Sequence, residues 1–238
     1  MSSRAPLPRS WPGIQTFFAM SPALARAAPF GLFIALLALE SVVGDKLGDA
    51  RWLTVLRPVL VASLLAFLWK HYTELHGPIR LAPRHVLLAI GVGIAVFATW
   101  IAFDRGWAAI ESSRAGFVPL QPDGRIDLTL AALRLAGLGL VVPVMEELFW
   151  RSFLLRWMES PRDFVTLDPR RVGITPFLLG SVLFASEHAL WFAGLVAGVS
   201  YTFVYFRSRN LWAAILSHAV TNTTLGAWIL ATDNWRLW

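Results

Sequence analysis

Six polar side chains interrupt otherwise apolar sequence in three spaced groups. Glu146, Glu147 and Arg151 form E-E-x-x-x-R, Phe184 and His188 form F-x-x-x-H, and His218 and Asn222 form H-x-x-x-N. These are residue types that move protons and hold developing charge: carboxylates and imidazoles as acids or bases, an amide as a hydrogen-bond donor. On a helix Glu147 and Arg151 are i and i+4, acid before base, the order that favours an ion pair. Glu146 lies about 100° further round and lacks that partner. The motif therefore predicts one neutralised structural pair and one free carboxylate, and an unpaired buried carboxylate is suited to general-base work near neutral pH. His218 and Asn222 again share one face, and His188 adds a second imidazole one turn after Phe184.

The elements that carry these groups are hydrophobic. The chain has 238 residues, 56% hydrophobic and only 15% charged, with 12 Trp and 16 Phe. A soluble domain carries about 25% charge, so the composition indicates an all-α, polytopic transmembrane bundle of about seven or eight helices. Apolar runs fall at 27–43, 53–69, 85–103, 128–157, 175–189, 190–206 and 211–231. The fourth exceeds the roughly 20 residues needed to span a bilayer, and the fifth falls short and is expected to stop partway. Residues 1–26, with four prolines and three arginines, read as a flexible basic leader, and 27–238 as one transmembrane domain with its catalytic core at 128–231. Residues 104–126 read as a loop over the mouth of the bundle.

The charge of +6 lies in short loops rather than along one face. That distribution favours membrane lipids as partners and argues against nucleic acid. With the N-terminus cytosolic, inside segments hold twelve Lys and Arg and outside segments six, which supports an N-in, C-out orientation. There is no Cys, which excludes a cysteine nucleophile and thiolate zinc sites.

Depth supplies an independent expectation. At 1.5 Å per residue, Glu146 lies roughly 16 Å from Trp157, His188 roughly 20 Å from Thr175, and His218 roughly 12 Å from Asn210. All three groups then meet near mid-membrane, in one site expected to open toward the cytosol. A charge buried there costs roughly 2.5–3.5 kcal/mol, so three such groups at one level are better explained by a shared site than by accident.

The ordered set of motifs, with Asn210-Leu211-Trp212-Ala213-Ala214-Ile215 leading into His218, resembles the CPBP family. That family includes type II CAAX prenyl endopeptidases, bacterial proteins linked to bacteriocin processing or immunity, and an exosortase-associated CAAX protease-related subgroup. The resemblance covers about Leu140 to Asn222 and implies a glutamate-dependent intramembrane endopeptidase in a bacterial inner membrane. It implies that Glu146 activates water with help from His188. His218 and Asn222 would form an oxyanion pocket, and Glu147, Arg151 and Phe184 would support the architecture. It implies no cofactor or metal, and a membrane-associated protein or peptide as substrate. Glu187 departs from the pattern, placing an acid where neighbouring positions are commonly apolar.

Competing readings remain open at this point. Glu146, His188 and His218 could ligate zinc with one position left for water, although no H-E-x-x-H is present. Intramembrane Glu and His also carry ions in transporters, and the same cavity could serve a non-catalytic scaffold or immunity protein.

Overall fold

The structure is a computed structural model that describes residues 13–47, 51–77, 79, 81–110 and 117–238. Eight helices account for most of them: α1 (Ile14–Met20), α2 (Pro22–Leu47), α3 (Arg51–Leu68), α4 (Pro83–Ala102), α5 (Leu128–Glu159), α6 (Ile174–Ser186), α7 (Trp191–Ser208) and α8 (Leu211–Thr232). No strand occurs among the described residues, only an isolated bridge between Leu120 and Ile126. An all-helical chain is what apolar segments of this length require, since a helix satisfies its backbone internally without water.

Among the described residues, four helices are long and apolar enough to cross a membrane: those at Pro22–Glu40, Arg51–His71, Pro83–Ala102 and Leu128–Glu159. α6 is apolar but has only 13 residues, as its short run anticipates. α7 and α8 have 18 and 22 residues. Both interrupt their apolar stretch with polar side chains, several of which line the site.

The expected leader is partly helical. Residues 1–12 lie outside the described residues, but Ile14–Met20 form α1, and Pro22 to Arg26 already belong to α2. The reason is a buried ionic knot. Arg26, 1% exposed, donates from Nε and Nη2 to the two carboxylate oxygens of Glu74 at 2.8 and 2.6 Å. Ser152 on α5 also donates to Glu74, and Arg156 Nη2 donates to Ser152 Oγ at 2.7 Å. One end of the bundle is thus closed by a network linking α2, the turn after α3, and α5.

The opposite end is fastened separately. Arg57 on α3 pairs with Glu40 on α2 at 2.6 Å, and Arg236 pairs with Asp104. Between the ends, close helix approach depends on small residues. A Cβ on Gly93 of α4 would sit 2.5 Å from Ser217 O and 2.8 Å from Val220 Cβ of α8. Gly194 and Gly198 bring α7 close onto α6, where a Cβ would sit 3.2 Å from Ala185 Cα and 3.0 Å from Ser181 O. This spacing lets backbones pack where lipid offers no hydrophobic drive for association.

α5 is not a uniform α-helix. It widens into π turns at Gly137–Val141 and Leu148–Leu154, on either side of the segment that ends in Glu146 and Glu147. Such turns release backbone carbonyls and often occur at functional sites.

Candidate active site

The two glutamates leave α5 in the directions their spacing predicts. Glu147 is 0% exposed and accepts from Arg151 Nη1 at 3.0 Å, so the i, i+4 ion pair is present. Arg151 is also buried. Its Nη2 donates to Gly198 O at 3.3 Å, and its guanidinium stacks 4.3 Å over the Phe184 ring. Phe184 therefore covers the arginine of the pair, and the close α6–α7 packing lets both neighbours reach it.

His218 of α8 completes this unit. Its Nδ1 lies 2.9 Å from Glu147 Oε1, and its ring stacks on Tyr201 with centroids 4.8 Å apart. A carboxylate accepts only, so His218 Nδ1 carries the hydrogen. Nε2 then faces Glu146 Oε2 at 3.9 Å. The sequence pairs His218 with Asn222 by spacing alone; its actual link to Glu147 comes from the crossing of α5 and α8.

Glu146 is 8% exposed, and its Oε2 has no hydrogen-bond partner among the described residues. No Arg or Lys nitrogen lies within salt-bridge distance of it there. It is the free carboxylate that the spacing anticipates. His188 stands beside it: ligand atoms of Glu146, Glu187 and His188 all lie within 4.8 Å of one another. His188 Nδ1 is 2.8 Å from Phe184 O, and a carbonyl can only accept, so Nδ1 carries the hydrogen. A neutral His188 thus has a bare Nε2. The ring is held in place between Trp100 and Phe184, with centroids 5.4 and 4.8 Å away.

Asn222 stands apart from these groups. Its Nδ2 donates to Leu138 O at 2.9 Å, inside the first π turn of α5. The amide thereby caps a carbonyl in the widened turn and holds α8 to α5 on the side of the site away from the ionic knot. Nδ2 has a second hydrogen that this bond does not use.

Glu187 is the residue whose place the sequence undervalues. It follows α6 on an exposed turn, yet its carboxylate belongs to the same cluster as Glu146 and His188. Only its position next to His188 signals this, because side chains beyond a helix end have no periodicity to project from.

The exposed edge of the site is this turn, and it does not face the end closed by Arg26 and Glu74. Ile110 N donates to Ala189 O at 2.7 Å, and Trp191 Nε1 donates to Trp107 O at 3.0 Å. The segment 103–110 is therefore fastened to this turn. The exposed turn itself lies at the loop end of α6. An apolar cleft of about 450 Å³, lined by Val92, Val172, Phe177, Phe203 and Phe206 among others, shares no residue with the polar cluster. It is a separate lateral groove.

Among known proteins, residues 128–224 match the family described as type II CAAX prenyl endopeptidase Rce1-like. The match runs from the first residue of α5 through most of α8 and contains every residue of the three motifs. No curated protein and no solved structure matches the chain. Residues 128–224 thus resemble a peptidase family, and the long apolar helices are those of an integral membrane protein.

Proposed function

We propose, from the premise that residues 128–224 form an Rce1-like type II CAAX prenyl endopeptidase domain, that Glu146 hydrolyses a peptide bond inside the bundle by activating water. The observation that carries this reading is the buried, arginine-free Glu146 carboxylate beside the bare nitrogen of His188. Water held between them loses a proton to Glu146 as its oxygen attacks the scissile carbonyl carbon. The resulting oxyanion is met from α8, by His218 and by the second amide hydrogen of Asn222. Collapse breaks the C–N bond, and the leaving amine takes the proton from Glu146.

Glu147 and Arg151 take no part in proton transfer. Glu147 fixes His218, and Arg151 neutralises Glu147. The mechanism needs no metal. The substrate is a membrane-associated protein or peptide that reaches the turn at Glu187 and His188, in a bacterial inner membrane with the N-terminus cytosolic.

The test compares membrane-proteome termini in the native host, wild type against Glu146→Gln at equal expression. Termini present only with the wild-type protein are expected and would name the substrate. Identical termini, with Glu146→Gln rescuing a deletion phenotype, would replace the peptidase with a scaffold or immunity role.

A further inference from the structure

We propose that Glu146, Glu187 and His188 form a binding site for a divalent transition-metal cation such as Zn²⁺, and that filling it switches the hydrolytic site off. The second half of this proposal rests on the reading of Glu146 as the base; the first half does not.

Charge gives the first reason. Two carboxylates share one cluster, and among the described residues neither has an Arg or Lys nitrogen within salt-bridge distance. Arg151, the nearest guanidinium on α5, is committed to Glu147 and Gly198 O. Like charges this close resist joint ionisation unless a cation lies between them. A divalent ion supplies the missing counter-charge.

Ligand chemistry gives the second. His188 presents Nε2 because Nδ1–H is anchored on Phe184 O, the backbone support that metal-bound imidazoles commonly have. Glu146 offers a buried carboxylate oxygen, Oε2, that nothing else occupies. Two oxygens and one imidazole nitrogen suit zinc and leave a position for water.

Distance is the third. The ligand atoms are at most 4.8 Å apart, whereas a tetrahedral ion with bonds of about 2.1 Å brings its ligands to about 3.4 Å. Glu187, exposed on a turn, is the ligand with room to adjust, while Glu146 and His188 are held by packing. The ion would occupy the two groups that hold and deprotonate water, so hydrolysis stops. His218 lies outside this ligand set, its Nδ1 bound to Glu147.

The experiment uses the full chain purified in detergent and titrated with Zn²⁺ by equilibrium dialysis, with no turnover needed. The wild-type protein is expected to take one equivalent. Glu187→Ala should weaken binding more than about tenfold, while Asp163→Ala, exposed at the end closed by Arg26 and Glu74, should not change it. Glu187→Ala is checked for folding by its melt without metal, and Glu187→His, which restores a ligand, should regain binding. Absence of binding up to about 1 mM, or equal binding by the wild type and Glu187→Ala, overturns the site. Hydrolysis is then followed with Zn²⁺ and with a chelator. Zinc should inhibit the wild type and spare Glu187→Ala relative to its own metal-free rate. Activity that requires zinc would overturn the inhibitory role while leaving the binding result intact. Full turnover by Glu146→Gln would instead sink the hydrolytic reading, which the dialysis does not use.

Discussion

Glu147 offers His218 the same carboxylate oxygen, at 2.9 Å, that it offers Arg151 at 3.0 Å. Two helices are thus joined through one acceptor, with the charge of Glu147 balanced within its own helix. The neighbouring Glu146 is left as the carboxylate with no such bond, and this asymmetry between adjacent glutamates assigns them different work.

Glu146→Gln is expected to abolish proteolysis, by about 10²–10⁴-fold for the loss of a general base. The amide keeps the volume of the side chain, so the melting temperature in detergent should hardly move. Residual turnover near the wild-type level would assign the base to another group.

Arg151→Ala strands Glu147 in a fully buried position and removes the guanidinium stacked on Phe184. The loss should be about 3–5 kcal/mol, the range for breaking a buried pair. It should appear as a lower melting temperature or failed assembly. An unchanged melt for purified Arg151→Ala would show that the pair is not structural.

Asn222→Ala uncaps Leu138 O in the π turn. A half-buried carbonyl left unsatisfied costs up to about 1–3 kcal/mol, so stability and activity should fall together. If the melt is unchanged and only kcat falls, Asn222 serves the oxyanion and the Leu138 bond is dispensable.

Gly93→Ala places a methyl against Ser217 O and Val220, one residue away from His218 on one side. Overpacking of this kind costs about 1–3 kcal/mol and should push α8 off α4. Loss of activity exceeding the loss of stability would report displacement of His218, and wild-type values in both would show that the crossing is looser than described.

Acid sensitivity should come from the far end of the bundle. Burial pushes the Glu74 carboxyl up, but the hydrogen bonds and charge of Arg26, with Ser152, outweigh it and hold the group below the usual carboxylate range. A depressed folded-state value means the stabilisation is full above the ordinary carboxylate value. It is lost as pH falls through the depressed one. Melting temperature should therefore drop steeply only at strongly acid pH, and Glu74→Gln should be less stable at neutral pH with a flatter acid limb. A Glu74→Gln melt that tracks wild type at every pH would remove Glu74 from the acid response.

By itself the sequence determined the helices and the local pair. Apolar runs locate α2 to α8 to within a few residues, because in lipid the backbone must satisfy itself and only helices of sufficient length do so. Glu147 with Arg151, and the isolation of Glu146, follow from four-residue spacing within one helix. Tertiary structure decided what crosses between helices: His218 on Glu147, Asn222 on Leu138 O, and Glu187 beside Glu146. These depend on how far α8 slides along α5, where Gly139 meets Thr223 and Gly226 meets Leu135, and on where α6 ends against Gly194 and Gly198 of α7. The 3.6-residue period fixes angles around one axis, and the register between two axes is fixed only when their surfaces meet.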